Sequence, residues 1–300
     1  MRNKLIVILG QTASGKTDLS IKLAKEFGGQ IVSADSRQVY KGLDIGSGKI
    51  TKKEMSGISH HLIDVANPKR KFSVSQYQSL AKKAIKKIHH KNELPFLVGG
   101  TGFYIKSIID DLIIPSVAPN WKLRKNLESK STKQLFLMLK KLDPERANNI
   151  DPKNPRRLIR ALEIIKATKK PVPKLHIINL DTPKIKLYKI LQIGIKKSPE
   201  ELKKLIQKRL KKRIKGIILE VKKLNSLGLS WKRMEELGLE YRFVAQFVQG
   251  LITYQQMMTI LQKEIEHYSK RQMTWFKRDS RIFWIKNYAE AKKLIKNFLQ

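Results

Sequence analysis

An eight-residue glycine motif near the N-terminus constrains the fold more than any other feature of this 300-residue chain. Residues 10–17 read Gly-Gln-Thr-Ala-Ser-Gly-Lys-Thr, which matches the G-x-x-x-x-G-K-[ST] phosphate-binding loop. The apolar run Leu5 to Leu9 before it predicts a buried parallel strand. An apolar pattern of helical spacing, Leu19, Leu23 and Phe27, follows the loop. A strand, a glycine loop and a helix in this order predict a site for a phosphate or diphosphate.

Both the backbone and the side chains of this loop supply predicted phosphate contacts. Glycines allow backbone N–H groups to close around an anion at the positive end of the following helix. Lys16 adds a positive charge, and the hydroxyl of Thr17 is a predicted ligand of Mg²⁺. The predicted diphosphate-binding residues are Gly10, Gln11, Thr12, Ala13, Ser14, Gly15, Lys16 and Thr17.

The excess of basic residues indicates the kind of partner. Lys and Arg number 63 against 25 Asp and Glu, a formal charge of +38. Such an excess favours a polyanionic partner, with nucleic acid ahead of an anionic membrane. The alternative is a lysine-rich surface without a partner, and pairs such as Lys86-Lys87 do resemble solvated helix faces.

Other classes of protein are disfavoured by what the sequence lacks. It has no cysteine for a disulfide or a thiolate metal site, and no apolar run as long as a membrane span. Its first residues, Met1 to Lys4, lead directly into the predicted strand instead of a cleavable signal. We therefore expect a cytoplasmic chain that does not bind a membrane.

Two further predicted strands end in polar or glycine-rich stretches. Gln30 to Ala34 is followed by Asp35-Ser36-Arg37-Gln38, and Leu94 to Val98 by Gly99-Gly100-Thr101-Gly102. In a parallel sheet, functional groups collect in the crevice outside the carboxyl ends of the strands. We expect these two strand ends to meet the phosphate loop there, with Thr101 opposite that loop.

Two segments between these strands have less definite roles. The glycine-punctuated stretch Tyr40 to Lys49 could wrap a substrate, and His60 to Val65 is predicted as a short strand. The pair His60-His61 raises the possibility of a metal site, but no carboxylate or third histidine lies at ligand spacing. A structural role or a substrate contact is therefore the preferred interpretation of the pair.

The middle of the chain is predicted to be a helical insertion at 116–185, between two parts of the α/β core, 1–115 and 186–300. Four helices are expected, beginning at Asn120, Ser131, Asp143 and Asn154. After it, Tyr188 to Ile195 resumes the sheet, and a mostly helical C-terminal part follows. That part is predicted to contain helices from Ser198, over Gly216 to Leu227, over Tyr241 to Val248 and from Thr253, and a strand over Arg281 to Ile285.

On these residues alone three functions remain open. A small-molecule or nucleotide kinase needs little more than Lys16 and Thr17 from the loop. A group transferase would grip a leaving diphosphate there while an RNA accepts the group, and an NTP-switched RNA-binding protein would use it as a sensor. The basic charge favours an RNA, and the lack of an apolar run ending in a Walker B acidic pair weakens the ATPase and switch alternatives.

Longer stretches of the chain resemble one family, the tRNA dimethylallyltransferases (tRNA isopentenyltransferases). The resemblance runs from Gly10 to Trp284. It is carried by residues 10–17, Ser33 to Tyr40, Leu43 to Gly46, His60 to Asp64, Val98 to Tyr104, Arg157 to Glu163 and Lys270 to Trp275.

This resemblance implies a P-loop NTPase-like fold in which an allylic diphosphate replaces ATP. It implies transfer of a dimethylallyl group from dimethylallyl diphosphate, with Mg²⁺, to the exocyclic N6 amine of the adenosine 3′ of the anticodon in tRNA. By the same resemblance Asp35 is the general base, Thr101 lies beside the amine and the leaving diphosphate, and Arg209 binds the diphosphate. The chain is expected to act as a monomer on the anticodon stem-loop.

The resemblance also assigns residues to tRNA binding. They are Asp35, Ser36, Arg37, Gln38, Thr101, Arg124, Arg156, Arg157, Leu158, Ile159, Arg160, Leu237, Gly238, Tyr241, Arg242, Lys270, Arg271 and Gln272. The chain departs from the family pattern at two places. One residue is missing between the diphosphate arginine and Gly216, which makes Arg213 the alternative to Arg209. The usual Gly-Tyr of the late tRNA loop is Glu240-Tyr241 here.

Overall fold

The structure is a computed structural model that describes residues 3–115, 117–173 and 187–300. Within them, six strands form one sheet: β1 (Lys4–Gly10), β2 (Gly29–Ala34), β3 (His60–His61), β4 (Leu94–Gly99), β5 (Lys189–Ile195) and β6 (Ile282–Ile285). Their order across the sheet is β3-β2-β4-β1-β5-β6. Every neighbouring pair is parallel. The predicted α/β class with a parallel sheet core is confirmed.

The central strand β1 is buried on both faces because its side chains alternate between two hydrophobic cores. Leu5, Val7 and Leu9 pack in one core, and Ile6 and Ile8 in the other. The helices of the first part of the chain are α1 (Lys16–Glu26), α2 (Lys52–Met55), α3 (Val74–His90) and α4 (Gly102–Ile109). This arrangement explains the unbroken apolar run that precedes the phosphate loop.

Two compact units divide the chain: Met1–Ile109 with Ile185–Gln300, and Asp110–Lys184. The second unit contains α5 (Trp121–Glu128), α6 (Thr132–Leu142), α7 (Pro144–Asn148) and α8 (Pro155–Thr168). Each helix begins after the predicted cap, whose side chain accepts a backbone N–H: Asn120, Ser131, Asp143 and Asn154. This unit starts at Asp110 instead of residue 116, and the predicted boundary between 185 and 186 lies outside the described residues.

The helices after the insertion are α9 (Pro199–Ser226), α10 (Trp231–Leu237), α11 (Leu239–Val248), α12 (Tyr254–Phe276) and α13 (Tyr288–Leu299). The prediction of a separate helix from Gly216 to Leu227 is wrong, because α9 runs through Gly216 without a break. A glycine inside a helix costs only about 1 kcal/mol relative to alanine. The apolar stripe of α9 outweighs it: Leu202, Ile206, Leu210, Ile214, Ile217, Val221 and Leu224 are all buried.

Two other predicted boundaries are corrected by local backbone geometry. The predicted strand His60 to Val65 contains only His60 and His61, since Leu62 and Asp64 have φ values of 63° and 57°, outside the β region. The predicted late tRNA loop, 237–242, is instead the junction of α10 and α11. There only Gly238, with φ of 75°, separates the two helices.

Candidate active site

Three strand ends line one crevice of about 660 Å³ at the carboxyl edge of the sheet. They are Thr12 to Thr17 after β1, Asp35 to Gln38 after β2, and Gly99 with Gly100 at the end of β4. The predicted convergence of the three strand ends is confirmed for these residues, whereas Thr101 and Gly102 are not among the described residues that line the crevice. Because β4 lies between β1 and β2 in the sheet, its two glycines lie between the other two loops. Residues 46–50 also line the crevice, and 46–49 belong to the stretch predicted to wrap a substrate.

The phosphate loop has the conformation that its glycines predict. Gly15 has φ of 89° at the N-cap of α1, a left-handed conformation that glycine adopts without steric cost. Of the predicted phosphate contacts, Thr12 through Thr17 line the crevice, and Gly10 and Gln11 do not. Within the described residues, the buried hydroxyl of Ser14 has no hydrogen-bond partner. The loop therefore has a free polar group to offer an anion.

The ammonium group of Lys16 is held in a place that favours an anion. Its Nζ donates to the carbonyl oxygen of Gln11 at 2.5 Å. Burial lowers the pKa of Lys16 to about 8; Asp35 raises this pKa and Arg209 lowers it. A negatively charged ligand beside Lys16 would stabilise the charged form, so the crevice is electrostatically prepared for a phosphate group.

Helix α12 fixes the phosphate loop from behind. The side-chain amide of Gln11 donates to the carbonyl and hydroxyl oxygens of Ser269 at 3.1 and 2.9 Å. Gln272 accepts the backbone N–H of Thr12 at 2.8 Å and donates to the carbonyl of Gly100 at 2.9 Å. Gln272 lines the crevice, but it is buried and both ends of its amide are bound within the protein; its contact with tRNA stays a prediction.

Asp35 and Thr101 belong to one hydrogen-bonded turn. One carboxylate oxygen of Asp35 accepts the backbone N–H groups of Arg37 and Gln38 at 2.8 and 3.3 Å. The hydroxyl of Thr101 accepts the N–H of Ser36 at 3.0 Å. In the part of the chain that the structure describes, the second carboxylate oxygen of Asp35 has no hydrogen-bond partner. Asp35 therefore faces the crevice with an oxygen available to a substrate, while Thr101 stabilises the turn that carries it.

Basic side chains of α9 form another wall of the crevice. Both Arg209 and its alternative Arg213 line it, and both lie against Gly48, where a Cβ atom would collide with Arg209 Nη2. Nη2 of Arg213 is buried and has no hydrogen-bond partner within the described residues. Burial lowers the pKa of Arg213, and the neighbouring charge of Arg209 lowers it further, while Glu240 opposes the shift. This wall of the crevice therefore carries an excess of positive charge.

The predicted tRNA contacts of 237–242 need correction. Leu237 and Tyr241 are each 1% exposed, and the Tyr241 hydroxyl is bound to Glu220 and to the N–H of Ser47. Both side chains pack in the hydrophobic core, which argues against the predicted RNA contact of Leu237; Tyr241 also lines the crevice, and its RNA contact stays a prediction. Gly238 lines the crevice, and half-buried Arg242 donates to the carbonyl of Glu235. On α12, Lys270 and Arg271 are exposed, as an RNA contact requires.

The predicted arginines of the insertion serve two different purposes. Arg124 binds both carboxylate oxygens of Glu163 at 2.8 Å, and Arg160 forms a second ion pair with Glu163, which is 1% exposed. Burial alone would raise the pKa of Glu163, but the hydrogen bonds from Arg124, the Asn120 N–H and Arg160 lower it overall. Arg124 and Arg160 therefore stabilise the fold of the insertion through their ion pairs with Glu163.

The remaining predicted residues of α8 divide by helix face. Leu158 and Ile159 pack in the core of the insertion, so their predicted tRNA contact is corrected. Arg156 and Arg157 are exposed in the first turn of α8. Of the basic residues predicted on this helix, these two are the ones with free access to a phosphate backbone.

Sequence reasoning missed three crevice features. Glu220 on α9, Glu240 on α11 and Tyr268 on α12 contact or line the crevice, but none belongs to a glycine motif. Burial raises the pKa of Glu240, and it raises the pKa of Tyr268 to about 12. The only sequence signal was the departure from the family pattern at Glu240. His60 also lines the crevice, with Nδ1 2.8 Å from the carbonyl oxygen of Ile58.

Known proteins are similar in sequence to this chain over most of its length. The family model "IPP transferase" matches residues 38–279. A tRNA dimethylallyltransferase of Alkaliphilus oremlandii is 38% identical over 307 residues, covering 100% of this chain and 97% of that protein. The tRNA dimethylallyltransferase 2 of Treponema denticola is 41% identical, with 92% of each chain covered.

Two solved structures are also similar to this chain in fold. The full-length tRNA isopentenylpyrophosphate transferase of Bacillus halodurans has a TM-score of 0.71 at 35% identity, covering 99% of this chain and 95% of its own. A eukaryotic dimethylallyltransferase acting on tRNA has a TM-score of 0.79 at 26% identity, covering 95% and 74%. The chain therefore belongs to the IPP transferase family, whose curated relatives are tRNA dimethylallyltransferases.

Proposed function

We propose that this protein transfers a dimethylallyl group from dimethylallyl diphosphate to N6 of the adenosine 3′ of the anticodon in tRNA, releasing diphosphate. One observation supports the proposal: Asp35 lines a crevice whose other walls are a phosphate loop and the cationic side chains of α9. A base and a diphosphate cradle in one cavity suit prenyl transfer to an amine. No feature of the crevice favours the kinase or the NTP-switch alternative.

Asp35 acts as the base in this proposal. The exocyclic amine of adenine is a poor nucleophile, because its lone pair is delocalised into the ring. A carboxylate that accepts the amine proton as the N–C bond forms lowers the barrier. The two backbone N–H groups on one oxygen of Asp35 fix the carboxylate, which leaves the other oxygen for the proton. The target base must leave the anticodon-loop stack to reach the crevice.

The leaving diphosphate is stabilised by groups already in place. Negative charge develops on it as the C–O bond breaks, and preorganised N–H groups and cations stabilise that charge. Lys16 and the N–H groups of residues 13–17 would bind it from the loop, and Arg209 from α9.

A magnesium ion fits this arrangement. Within the described residues, no cluster of three His, Asp or Glu side chains could hold a metal. Thr17 is exposed at the crevice, and its hydroxyl has no hydrogen bond to the rest of the described protein. Mg²⁺ keeps several water ligands and commonly binds through one or two protein oxygens and the phosphates of a substrate. Thr17 would hold Mg²⁺ together with the diphosphate, and the ion would neutralise part of the developing charge.

We further propose that the chain works as a monomer in the cytoplasm and binds the anticodon stem-loop. The net charge of +38 supports an RNA partner. The exposed Arg156, Arg157, Lys270 and Arg271 are the proposed backbone contacts. No helix among the described residues is long and apolar enough to cross a membrane.

The test is mass spectrometry of nucleosides from unmodified tRNA incubated with the protein, Mg²⁺ and dimethylallyl diphosphate. We expect N6-dimethylallyladenosine, lost when Lys16 is replaced by alanine. Calorimetric titration should show binding of dimethylallyl diphosphate and no comparable affinity for ATP. Tight ATP binding with tRNA-stimulated hydrolysis, and no prenyl adduct on the RNA, would contradict the proposal and support the switch or kinase alternative.

A further inference from the structure

One glutamate of α9 holds the loop that forms a wall of the crevice. The carboxylate oxygens of Glu220 accept the backbone N–H groups of residues 44, 45 and 46 at 2.9, 2.6 and 3.0 Å. The hydroxyl of Tyr241 donates to the same carboxylate at 2.8 Å and accepts the N–H of Ser47 at 3.0 Å. Four consecutive backbone N–H groups of one loop are thus bound by two side chains from two helices.

The contact is close enough that only glycine fits at its centre. A Cβ atom at Gly46 would lie 2.6 Å from Cζ of Tyr241. On the helix side, a Cβ at Gly216 would lie 3.0 Å from Cδ1 of Ile45. This close approach explains why α9 tolerates a glycine in its interior: the loop 44–48 packs directly on the helix at that point.

The same face of α9 carries the cationic groups of the crevice. Positions 209, 213, 216 and 220 are spaced by four, three and four residues, so they follow one another along a single helix face. The loop runs along the same helix face. Residues 44–46 are bound by Glu220, Ile45 packs on Gly216, and Gly48 lies against the guanidinium groups of Arg209 and Arg213. Gln38 holds the far end of the loop, since its Nε2 donates to the carbonyl of Gly48 at 3.2 Å.

We propose that Glu220 is a positioning residue for diphosphate binding: by fixing loop 44–48 on α9, it fixes the guanidinium of Arg209 at the crevice wall. This inference rests on the function proposed above. Without the carboxylate, three backbone N–H groups lose their acceptor and the loop can move away from the helix. The side chain of Arg209 then regains rotamer freedom. This weakens diphosphate binding, because a binding site depends on supporting residues that restrict the rotamers of its contact residues.

The test is isothermal calorimetry of inorganic pyrophosphate with Mg²⁺. Glu220→Gln keeps the shape but presents an NH₂ group to N–H donors, so we expect about tenfold weaker binding because part of the loop loses its charged acceptor. Glu200→Gln, on the exposed first turn of the same helix, is the matched control and should bind like the wild type. Tyr241→Phe removes one hydroxyl and should cause a smaller loss. It decides the question if Glu220→Gln fails to fold by circular dichroism.

A double-mutant cycle separates positioning from general destabilisation. Arg209→Ala should weaken binding by about a hundredfold, and Glu220→Gln should add nothing to it, because Glu220 acts through Arg209. Losses that multiply would overturn the inference, as would wild-type affinity in Glu220→Gln and in Tyr241→Phe. Wild-type protein that does not bind pyrophosphate would overturn the proposed function itself.

Discussion

The crevice and the helical insertion each contain a carboxylate surrounded by positive charge, and the two carboxylates are used differently. In the insertion, Glu163 is 1% exposed and both its oxygens are bound by Arg124, with Arg160 adding a second ion pair. In the crevice, one oxygen of Asp35 accepts two backbone N–H groups, and the other has no partner within the described residues. A carboxylate with hydrogen bonds to both oxygens stabilises the fold. A carboxylate with one unbound oxygen can accept a proton from a substrate.

The largest expected effect tests the free carboxylate. Asp35→Asn should fold and bind tRNA normally but lose roughly 10²–10⁴ in the single-turnover rate of prenyl transfer, the typical contribution of a general base. The amide oxygen of asparagine can still accept the N–H of Arg37, so the turn should persist. The measurement is rapid-quench transfer with saturating substrates.

Thermal denaturation provides the control for that variant, and its melting temperature should match the wild type. Turnover close to the wild-type rate would remove Asp35 from the proposed role. It would also remove the contrast between the two carboxylates.

The second prediction tests the filled carboxylate. Glu163→Gln leaves two guanidinium groups with an incomplete partner, and breaking a buried ion pair typically costs about 3–5 kcal/mol. We expect about 3 kcal/mol, since Arg124 and Arg160 remain partly exposed. Hydrogen exchange at the amides of α5 and α8 should quicken accordingly.

Two comparisons make this result specific. Glu128→Gln changes an exposed glutamate of the same unit and should leave exchange unchanged. Pyrophosphate affinity should be the same in both variants. Unaltered exchange in Glu163→Gln would show that the ion pairs of Glu163 with Arg124 and Arg160 do not hold the insertion together.

The third prediction concerns the pH dependence of the crevice. The pKa of Lys16 is lowered to about 8, so this side chain loses its charge as pH rises from 7 to 9. A diphosphate needs the ammonium form, and its affinity should fall about tenfold across this range. Lys16→Arg, whose guanidinium stays protonated, should flatten the profile. A wild-type profile that is already flat would mean that Lys16 does not touch the diphosphate.

The smallest effect tests which arginines of α8 meet RNA. Replacing Arg156 and Arg157 by glutamine should reduce the slope of log affinity for an anticodon stem-loop against log salt by about two units. Arg160→Gln should change the slope little, because its guanidinium is bound to Glu163. Lys86 and Lys87, exposed on α3, are the control pair and should leave the slope unchanged. If Arg160→Gln reduced the slope as much as the double replacement of Arg156 and Arg157, Arg160 would be an RNA contact despite its ion pair with Glu163.

Local signals in the sequence were enough for much of this molecule. Capping residues predicted all four insertion helices, because a cap and its first turn lie within a few residues of each other. The phosphate loop and the convergence of three strand ends followed from strand order along the chain and the geometry of parallel sheets. Helix α4, which begins at Gly102, was missed, and so were α10 and α13, although the side chains of Ser230 and Asn287 cap them.

The sequence by itself determined the fold class and the phosphate loop, since each depends on residues close together in the chain, whereas the expectation of prenyl transfer came from the family resemblance. Only the tertiary structure decided that β4 lies between β1 and β2, that α9 passes unbroken through Gly216, and that Gln272 stabilises the phosphate loop. It also decided that Arg160 pairs with Glu163 while Arg156 is exposed. Such pairings depend on which side chains from distant segments meet, and residue type alone does not specify the partner of a charge or of a backbone N–H group.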